Sequence, residues 1–348
     1  MKGVFYALLA ALLFGASTPL AKSLLPQMTP LMLAGLLYLG SGVGLAVYSF
    51  LRSRRSNPSR NEAALTRKDA PWLAGAILAG GVIASVLLMW GLAATPASSA
   101  SLLLNLEGVL TALLAWFVFK ENFDRRIALG MALIAAGGVS LSWMGRPATG
   151  VPWSSLAIVG ACLAWAIDNN LTRKVSAGDP VQIAMLKGLV AGSVNTGLAL
   201  ALGAKLPAAS SLLATGVVGF FGYGVSLTLF VLALRHIGTA RTGAYFSVAP
   251  FVGAAISILF LGDTLTIGFI AAAVLMALGV WLHLTERHGH EHHHEPMEHD
   301  HLHQHDDHHQ HVHSASDLPG EPHSHAHRHE PMIHSHPHYP DIHHRHRH

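Results

Sequence analysis

The sequence predicts an all-α membrane protein of ten transmembrane helices, arranged as two inverted five-helix repeats and followed by a disordered histidine-rich tail. Three observations carry this reading. Residues 1–287 hold segment after segment of roughly 18 to 23 residues dominated by Leu, Ala, Val, Gly and Ile, each long enough to cross about 30 Å of hydrocarbon as a helix. Two stretches of this apolar body match one another at a constant offset. Finally, 24 of the 26 histidines lie between His288 and His348.

The spans are expected at 3–24, 30–51, 71–93, 97–119, 126–144, 153–172, 181–203, 211–233, 242–261 and 266–284. The first lacks a small-residue cleavage site and runs directly into further spans, so it reads as a retained helix. Gly35, Gly40, Gly42 and Gly44 in span 2, and Gly216, Gly219, Gly222 and Gly224 in span 8, permit close helix approach. Met89, Trp90, Trp116, Trp143, Trp153 and Trp281 fall mainly toward span ends, where an amphipathic ring suits the headgroup level. Basic residues mark alternate loops: Arg52, Arg54, Arg55, Arg60, Arg67 and Lys68, then Lys120, Arg125 and Arg126, then Arg173 and Lys174, then Arg235 and Arg241. The opposite loops offer little beyond Arg146 and Lys205. The positive-inside rule therefore puts both termini in the cytoplasm, in a bacterial inner (plasma) membrane. Cys162 is the single cysteine, which excludes an internal disulfide.

Spans 3 to 5 overlay spans 8 to 10 at an offset of 142 residues, with Thr95 on Ile237, Glu107-Gly108 on Ala249-Pro250, Lys120-Glu121 on Gly262-Asp263 and Gly137 on Gly279. Spans 1 and 6 align more weakly, Pro30 matching Pro180 at an offset of 150. Five is odd, so the second half enters the bilayer upside down relative to the first, the inverted repeat of secondary transporters with a site near the midplane. The units are 1–144, 153–285 and the tail 286–348.

Phe14-Gly-Ala-Ser-Thr-Pro-Leu-Ala-Lys22, Leu106-Glu-Gly-Val-Leu-Thr-Ala-Leu-Leu-Ala-Trp116 followed by Glu121, and Val248-Ala-Pro-Phe251 followed by Leu261-Gly-Asp263 resemble the two repeats of the EamA-type branch of the drug/metabolite transporter (DMT) superfamily. The likeness covers nearly all of residues 1–285. It implies a transporter, in a family associated with export of amino acids, metabolites and drugs. Two departures stand out. Glu107-Gly108 replaces the family's Glu-Pro, which predicts a span 4 straighter than in relatives, and Lys120-Glu121 replaces its Gly-Glu, which keeps the carboxylate at the turn.

Ionisable groups inside hydrocarbon are costly and mark pathways or partnered sites. Glu107, with Asn105 two residues away, reads as a proton carrier or cation ligand, or else as a carboxylate bonded to a neighbouring helix. Asp168, Asn169 and Asn170 stand in a row in span 6, so part of the stretch faces a cavity or another helix; Asp168 alternatively pairs with Arg173 or Lys174 at the helix end. Lys187 in span 7 either snorkels to the cytoplasmic surface or pairs with Asp168, Glu107 or a substrate carboxylate. Lys22 is similarly placed near the outer end of span 1. A lysine facing the cavity would favour an anionic or zwitterionic solute over a bare metal cation. Ser98, Ser99, Ser101, Asn195, Ser226 and Thr228 line a path or serve helix packing.

No phosphate-binding Gly-Lys-Ser/Thr loop, His-Glu-x-x-His pattern or nucleophile elbow is present, so neither ATP-driven pumping nor proteolysis is expected and the chain reads as a non-enzyme. The basic loops are topology signals, not a nucleic-acid surface. The expected partners are the lipid bilayer, a small-molecule substrate and divalent metal ions, with homodimerisation open. No cofactor is required.

The tail's imidazoles are the donors that zinc, nickel, cobalt and copper take: His290, His292, His293, His294, His299, His301, His303, His305, His308, His309, His311, His313, His323, His325, His327 and His329. With histidine neutral, residues 1–287 carry 19 Lys and Arg against 9 Asp and Glu, while 288–348 carry 3 against 10. The tail is therefore acidic against a basic body, and metal loading or protonation would change its sign. Three readings result: an exporter of a small organic solute with a regulatory metal-binding tail, a nickel, cobalt or zinc exporter, and a metal store at the membrane. Apart from Glu107 and Asp168, only His236, His283 and Cys162 offer ligands in the membrane core, dispersed over different spans and ends, so the organic solute is favoured.

Overall fold

The computed structural model describes residues 2–53, 65–119, 125–143, 153–176, 178–285, 289–294, 297–303, 323–329 and 332–337. Arg54, Arg55 and Arg60, Lys120-Glu121, Arg146, and His305, His308, His309, His311 and His313 lie outside these residues.

The described body is helical. The helices are α1 (Lys2–Leu24), α2 (Pro30–Ser53), α3 (Ala70–Ala76) continuing through a π-helical stretch Ile77–Ala84 into α4 (Ser85–Ala93), α5 (Ala97–Leu103), α6 (Leu106–Phe119), α7 (Arg125–Trp143), α8 (Trp153–Val175), α9 (Pro180–Ala201), α10 (Ala209–Gly219) continuing through a second π-helical stretch Phe220–Val225 into α11 (Ser226–Phe246), α12 (Ala249–Leu261) and α13 (Ile267–Leu284). Local chemistry sets several ends. Asp179 accepts from the Val181 and Gln182 backbone N–H groups with Pro180 at the first helical position of α9, satisfying donors the helix itself leaves open. Thr266 caps α13 through Phe269 N. Gly262 closes α12 at φ 71°, in the left-handed region.

Among the described residues, six helical stretches are long and apolar enough to cross a bilayer: Lys2–Gln27, Pro30–Arg52, Ala70–Ala93, Ala97–Leu114, Pro180–Ala201 and Ala209–Ile237. Ala128–Ser142, Ala249–Leu261 and Ile267–Leu282 are shorter apolar helices, and α8, which carries Asp168, Asn169 and Asn170, belongs to neither group. Large apolar side chains stand fully outward, Phe260 at 79 % and Ile267 at 89 % exposure, which suits contact with lipid and not with water. Met89 is not interfacial as its position suggests: it is wholly buried in the core beside Leu88 and Leu92.

Two features bear on the continuity of the spans. Span 4 is interrupted: a turn at Leu104-Asn105 separates α5 from α6. Asn105 Nδ2 donates to Leu102 O at 3.1 Å, so a side-chain amide takes a carbonyl the helix ladder would use. Within α11, the rings of Phe230 and Phe246 lie 4.9 Å apart. A straight helix would separate residues sixteen apart by about 24 Å, so the chain turns back inside α11 between the two rings.

Glycines allow the closest helix contacts. A Cβ on Gly42 of α2 would meet Leu189 N at 2.4 Å, and one on Gly188 of α9 would meet Gly42 N at 2.4 Å. Gly137 of α7 and Gly279 of α13 meet in the same way: a Cβ on Gly137 would stand 3.0 Å from Ala272 O, and one on Gly279 2.5 Å from Gly130 O. Side-chain-free surfaces bring helix axes close enough for backbone packing, the usual means of association in lipid.

Two ends are distinguishable. At one, Arg235 Nη2 donates to Gly178 O at 2.9 Å, Leu65 N donates to Gln182 Oε1 at 3.2 Å, and Gly3 lies against His236 and Ile237. At the other, Lys22 Nζ caps the carboxyl end of α4 through the carbonyls of Leu92 (2.6 Å), Ala93 (3.1 Å) and Thr95 (3.0 Å), and Ser98 N donates to Asp263 Oδ2 at 2.8 Å.

The described residues of the tail form two strand pairs. Strand β1 (Gly289–His294) pairs antiparallel with β4 (Met332–Pro337), and β2 (Met297–His303) with β3 (His323–His329). His299 stands opposite His327, His301 opposite His325 and His303 opposite His323. The His-x-His alternation has the two-residue period of a strand, and pairing satisfies backbone groups that composition alone leaves to water.

Candidate functional site

A cavity lies between α1, α2, α6, α8, α9, the second π-helical stretch and α11, and encloses about 610 Å³ with its open mouth included. Glu107, Asp168, Asn169 and Lys187 all line it. Glu107 stands in the first turn of α6, where unsatisfied backbone N–H groups favour a negative charge. Asn169 Nδ2 of α8 donates to Glu107 Oε1 at 2.7 Å. The break before α6 makes this possible, because it turns a mid-span residue into a helix-start residue.

One residue along α8, Asp168 is partnered quite differently. Lys187 Nζ donates to Asp168 Oδ1 at 2.6 Å and Oδ2 at 2.7 Å, and to Thr172 Oγ1 at 3.2 Å. Thr172 Oγ1 in turn donates to Asp168 Oδ1 at 2.8 Å. Asp168 is 4 % exposed and Lys187 2 %, so Lys187 does not snorkel to the surface and Asp168 does not depend on Arg173 or Lys174 for its salt bridge. Gly80, inside the first π-helical stretch, makes room for the pair: a Cβ there would stand 1.8 Å from Asp168 Oδ2. Tyr38 Oη donates to Gly80 O at 3.1 Å from the cavity side.

The other expected residues separate from this group. Asn105 donates to Leu102 O and faces the Met276 thioether at 3.8 Å. Asn170 Nδ2 returns to Ala166 O at 2.9 Å on its own helix. Asn195 braces the first π-helical stretch through Gly81 O (3.1 Å) and Ser85 Oγ (3.2 Å). Among the small polar residues, Ser226 reaches the cavity wall and donates to Ala10 O at 2.8 Å, while Thr228 bonds Gly224 O.

Composition did not single out the aromatic wall. Phe14 is its centre, with ring centroids 5.8 Å from Trp165, 5.9 Å from Tyr223 and 5.5 Å from Phe246. Tyr38 continues the wall from Tyr223 at 5.3 Å, and Phe230 from Phe246. A signal was available, since Trp165 lies three residues before Asp168 on α8 and therefore on the same helix face.

The cavity thus combines one saturated ion pair, one carboxylate held by a single amide, and a surround of rings. Among the described residues no group of three or more His, Cys, Asp or Glu side chains is arranged to hold a metal.

Several known transporters resemble this chain. A transporter of Methanothermobacter thermautotrophicus, named only as an uncharacterized transporter, is 29 % identical over 299 residues, covering 80 % of this chain and 85 % of its own. The inner membrane transporter YedA of Escherichia coli K12 is 25 % identical over 270 residues, 73 % of this chain and 83 % of its own. A probable amino-acid metabolite efflux pump of Salmonella typhimurium is 26 % identical over 302 residues, 81 % of this chain and 95 % of its own. One crystal structure shares the fold at a TM-score of 0.61 and 15 % identity, over 81 % of this chain and 95 % of that one. Residues 1–143 and 152–285 each match the EamA-like transporter family, and this chain, a multi-pass membrane protein, belongs to that family.

Proposed function

We propose that the protein is a gradient-coupled exporter of a small organic solute, that the solute occupies the cavity between α1, α2, α6, α8, α9 and α11, and that Glu107 is the group which exchanges a proton or a ligand cation. The observation that carries this is the contrast in partners: the Lys187 ammonium is engaged by Asp168 and Thr172, whereas Glu107 has, among the described residues, one amide donor and no cation. A half-buried carboxylate inside a membrane protein, without a counter-ion, takes up a proton or a positive ligand group. The π-helical stretches Ile77–Ala84 and Phe220–Val225 support the inverted-repeat reading, because they fall at matching positions of spans 3 and 8. Both termini face the cytoplasm on the strength of the basic loops, two of which meet where Arg235 bonds Gly178.

Transition-metal export is the weaker reading. The cavity supplies two carboxylates, and one already holds an ammonium that repels a dication. The tail is assigned a separate metal-binding role, for zinc, nickel, cobalt or copper, supported by the three His-His register pairs of β2 and β3.

Proteoliposomes holding a pH-sensitive dye test the reading. Amino acids, amines, organic acids, nickel, cobalt and zinc are added in turn to the full chain and to its Glu107→Gln variant. Proton movement driven by an organic solute and lost in the variant is expected. Metal-driven flux lost in the same variant would transfer the cavity to metal transport.

A further inference from the structure

We infer that the exported solute is an organic amine, bound as its cation with the Glu107 carboxylate as counter-ion and the aromatic wall around its apolar part. This rests on the reading of the cavity as the solute site and adds the chemical class.

Charge balance is the first argument. The carboxylates and ammonium lining the cavity are Glu107, Asp168 and Lys187. Lys187 has three N–H donors, and all three are placed: two on the Asp168 oxygens and one on Thr172. The pair is electrically closed before any ligand arrives. A solute carboxylate would have to pull Lys187 from Asp168 and leave that carboxylate buried without a partner, at a cost larger than a new pair returns. It would also sit beside Glu107, a like charge in a medium that screens weakly. The site therefore carries one uncompensated negative charge and asks for one positive charge.

Geometry is the second. Asn169 occupies Oε1 of Glu107, and Oε2 has no partner among the described residues, so one carboxylate oxygen is left to accept an ammonium N–H. Glu107 is only half-buried where Asp168 is buried, so the unpaired group is also the reachable one.

The wall is the third. Phe14, Trp165, Tyr223, Tyr38, Phe230 and Phe246 present π systems around the same space. Aromatic faces attract cations and cover alkyl or aryl groups. They replace the loose hydration shell of a substituted ammonium well, and that of a small hard metal ion poorly. A polar zwitterion gains from the rings and from Glu107 but finds no free cation for its carboxylate.

Three phenyl compounds of matched size separate the classes: 2-phenylethylamine, phenylalanine and 3-phenylpropionate, each radiolabelled and bound at equilibrium to the full-length protein. The expected result is an amine dissociation constant at least tenfold below the other two, raised at least tenfold by Glu107→Gln and by Trp165→Leu. The ranking in the unaltered protein stands by itself should either variant fold poorly. Phenylalanine or phenylpropionate binding as tightly as the amine, and weakened by either substitution, would overturn the amine assignment while keeping the cavity as the solute site. Absence of binding by all three, or binding indifferent to both substitutions, would overturn the assignment and the cavity reading together.

Discussion

Glu107 and Asp168 look into one cavity from α6 and α8, yet their surroundings are opposite. Asp168 is held on both oxygens by Lys187 and on one by Thr172, behind a π-helical stretch whose Gly80 leaves space for it. Glu107 keeps a single bond to Asn169. The difference teaches that a charge inside a membrane protein has two uses. A closed pair fixes helices in register, whereas an open carboxylate can do work by changing partners.

The largest effect expected from this contrast is functional. Glu107→Gln keeps size and the Asn169 contact but removes the charge; solute-driven flux in proteoliposomes should fall at least a hundredfold while thermal unfolding stays near that of the parent. Retained flux would erase the distinction between the two carboxylates. Next comes Lys187→Met, which strands Asp168 and should cost about 3–5 kcal/mol. Adding Asp168→Asn should restore most of that loss, measured by thermal unfolding in detergent. A double variant as unstable as the single one would show that the pair is not self-contained.

Gly80→Ala sharpens the comparison further. Its new Cβ collides with Asp168 Oδ2, so melting temperature and flux should both drop. Gly197→Ala, where a Cβ meets nothing within 4 Å, should leave both unchanged. Tyr38→Phe removes the bond to Gly80 O and should cost about 0.6–1 kcal/mol, the usual worth of such a bond in lipid. The smallest effect belongs to the tail: deleting residues 288–348 should abolish most zinc or nickel binding in equilibrium dialysis and leave unfolding of the body unchanged.

Much of the cavity was legible in the sequence because ionisable residues are scarce between residues 70 and 285. Glu107, Asp168 and Lys187 stand out against Leu and Ala, and Asn169 follows as the neighbour of Asp168. What the sequence hid was direction. Asn105 and Asn170 carry the same amide as Asn169, but each spends it on a carbonyl of its own chain segment, a choice decided by backbone geometry, not by residue type. The aromatic wall was hidden for a related reason: Phe14, Tyr38, Tyr223 and Phe246 come from distant parts of the chain, and only packing brings their rings within 6 Å. The break in span 4 was hidden because proline is the familiar interrupter, whereas here Asn105 competes for a carbonyl without one. In the tail, low apolar content argued for disorder, while the His-x-His alternation carries the two-residue period of the described strands.

The two π-helical stretches have a mechanical consequence. A π turn holds one residue more than an α turn, so shifting the wide turn along its helix rotates each residue it passes by about 100°. No hydrogen-bonded ladder has to melt for that to happen. At Ile77–Ala84 such a shift would carry Gly80 away from Asp168, and at Phe220–Val225 it would swing Tyr223 out of the wall. One helix that lines the cavity and one packed behind Asp168 therefore share a means of turning while their hydrogen-bonded ladders stay whole.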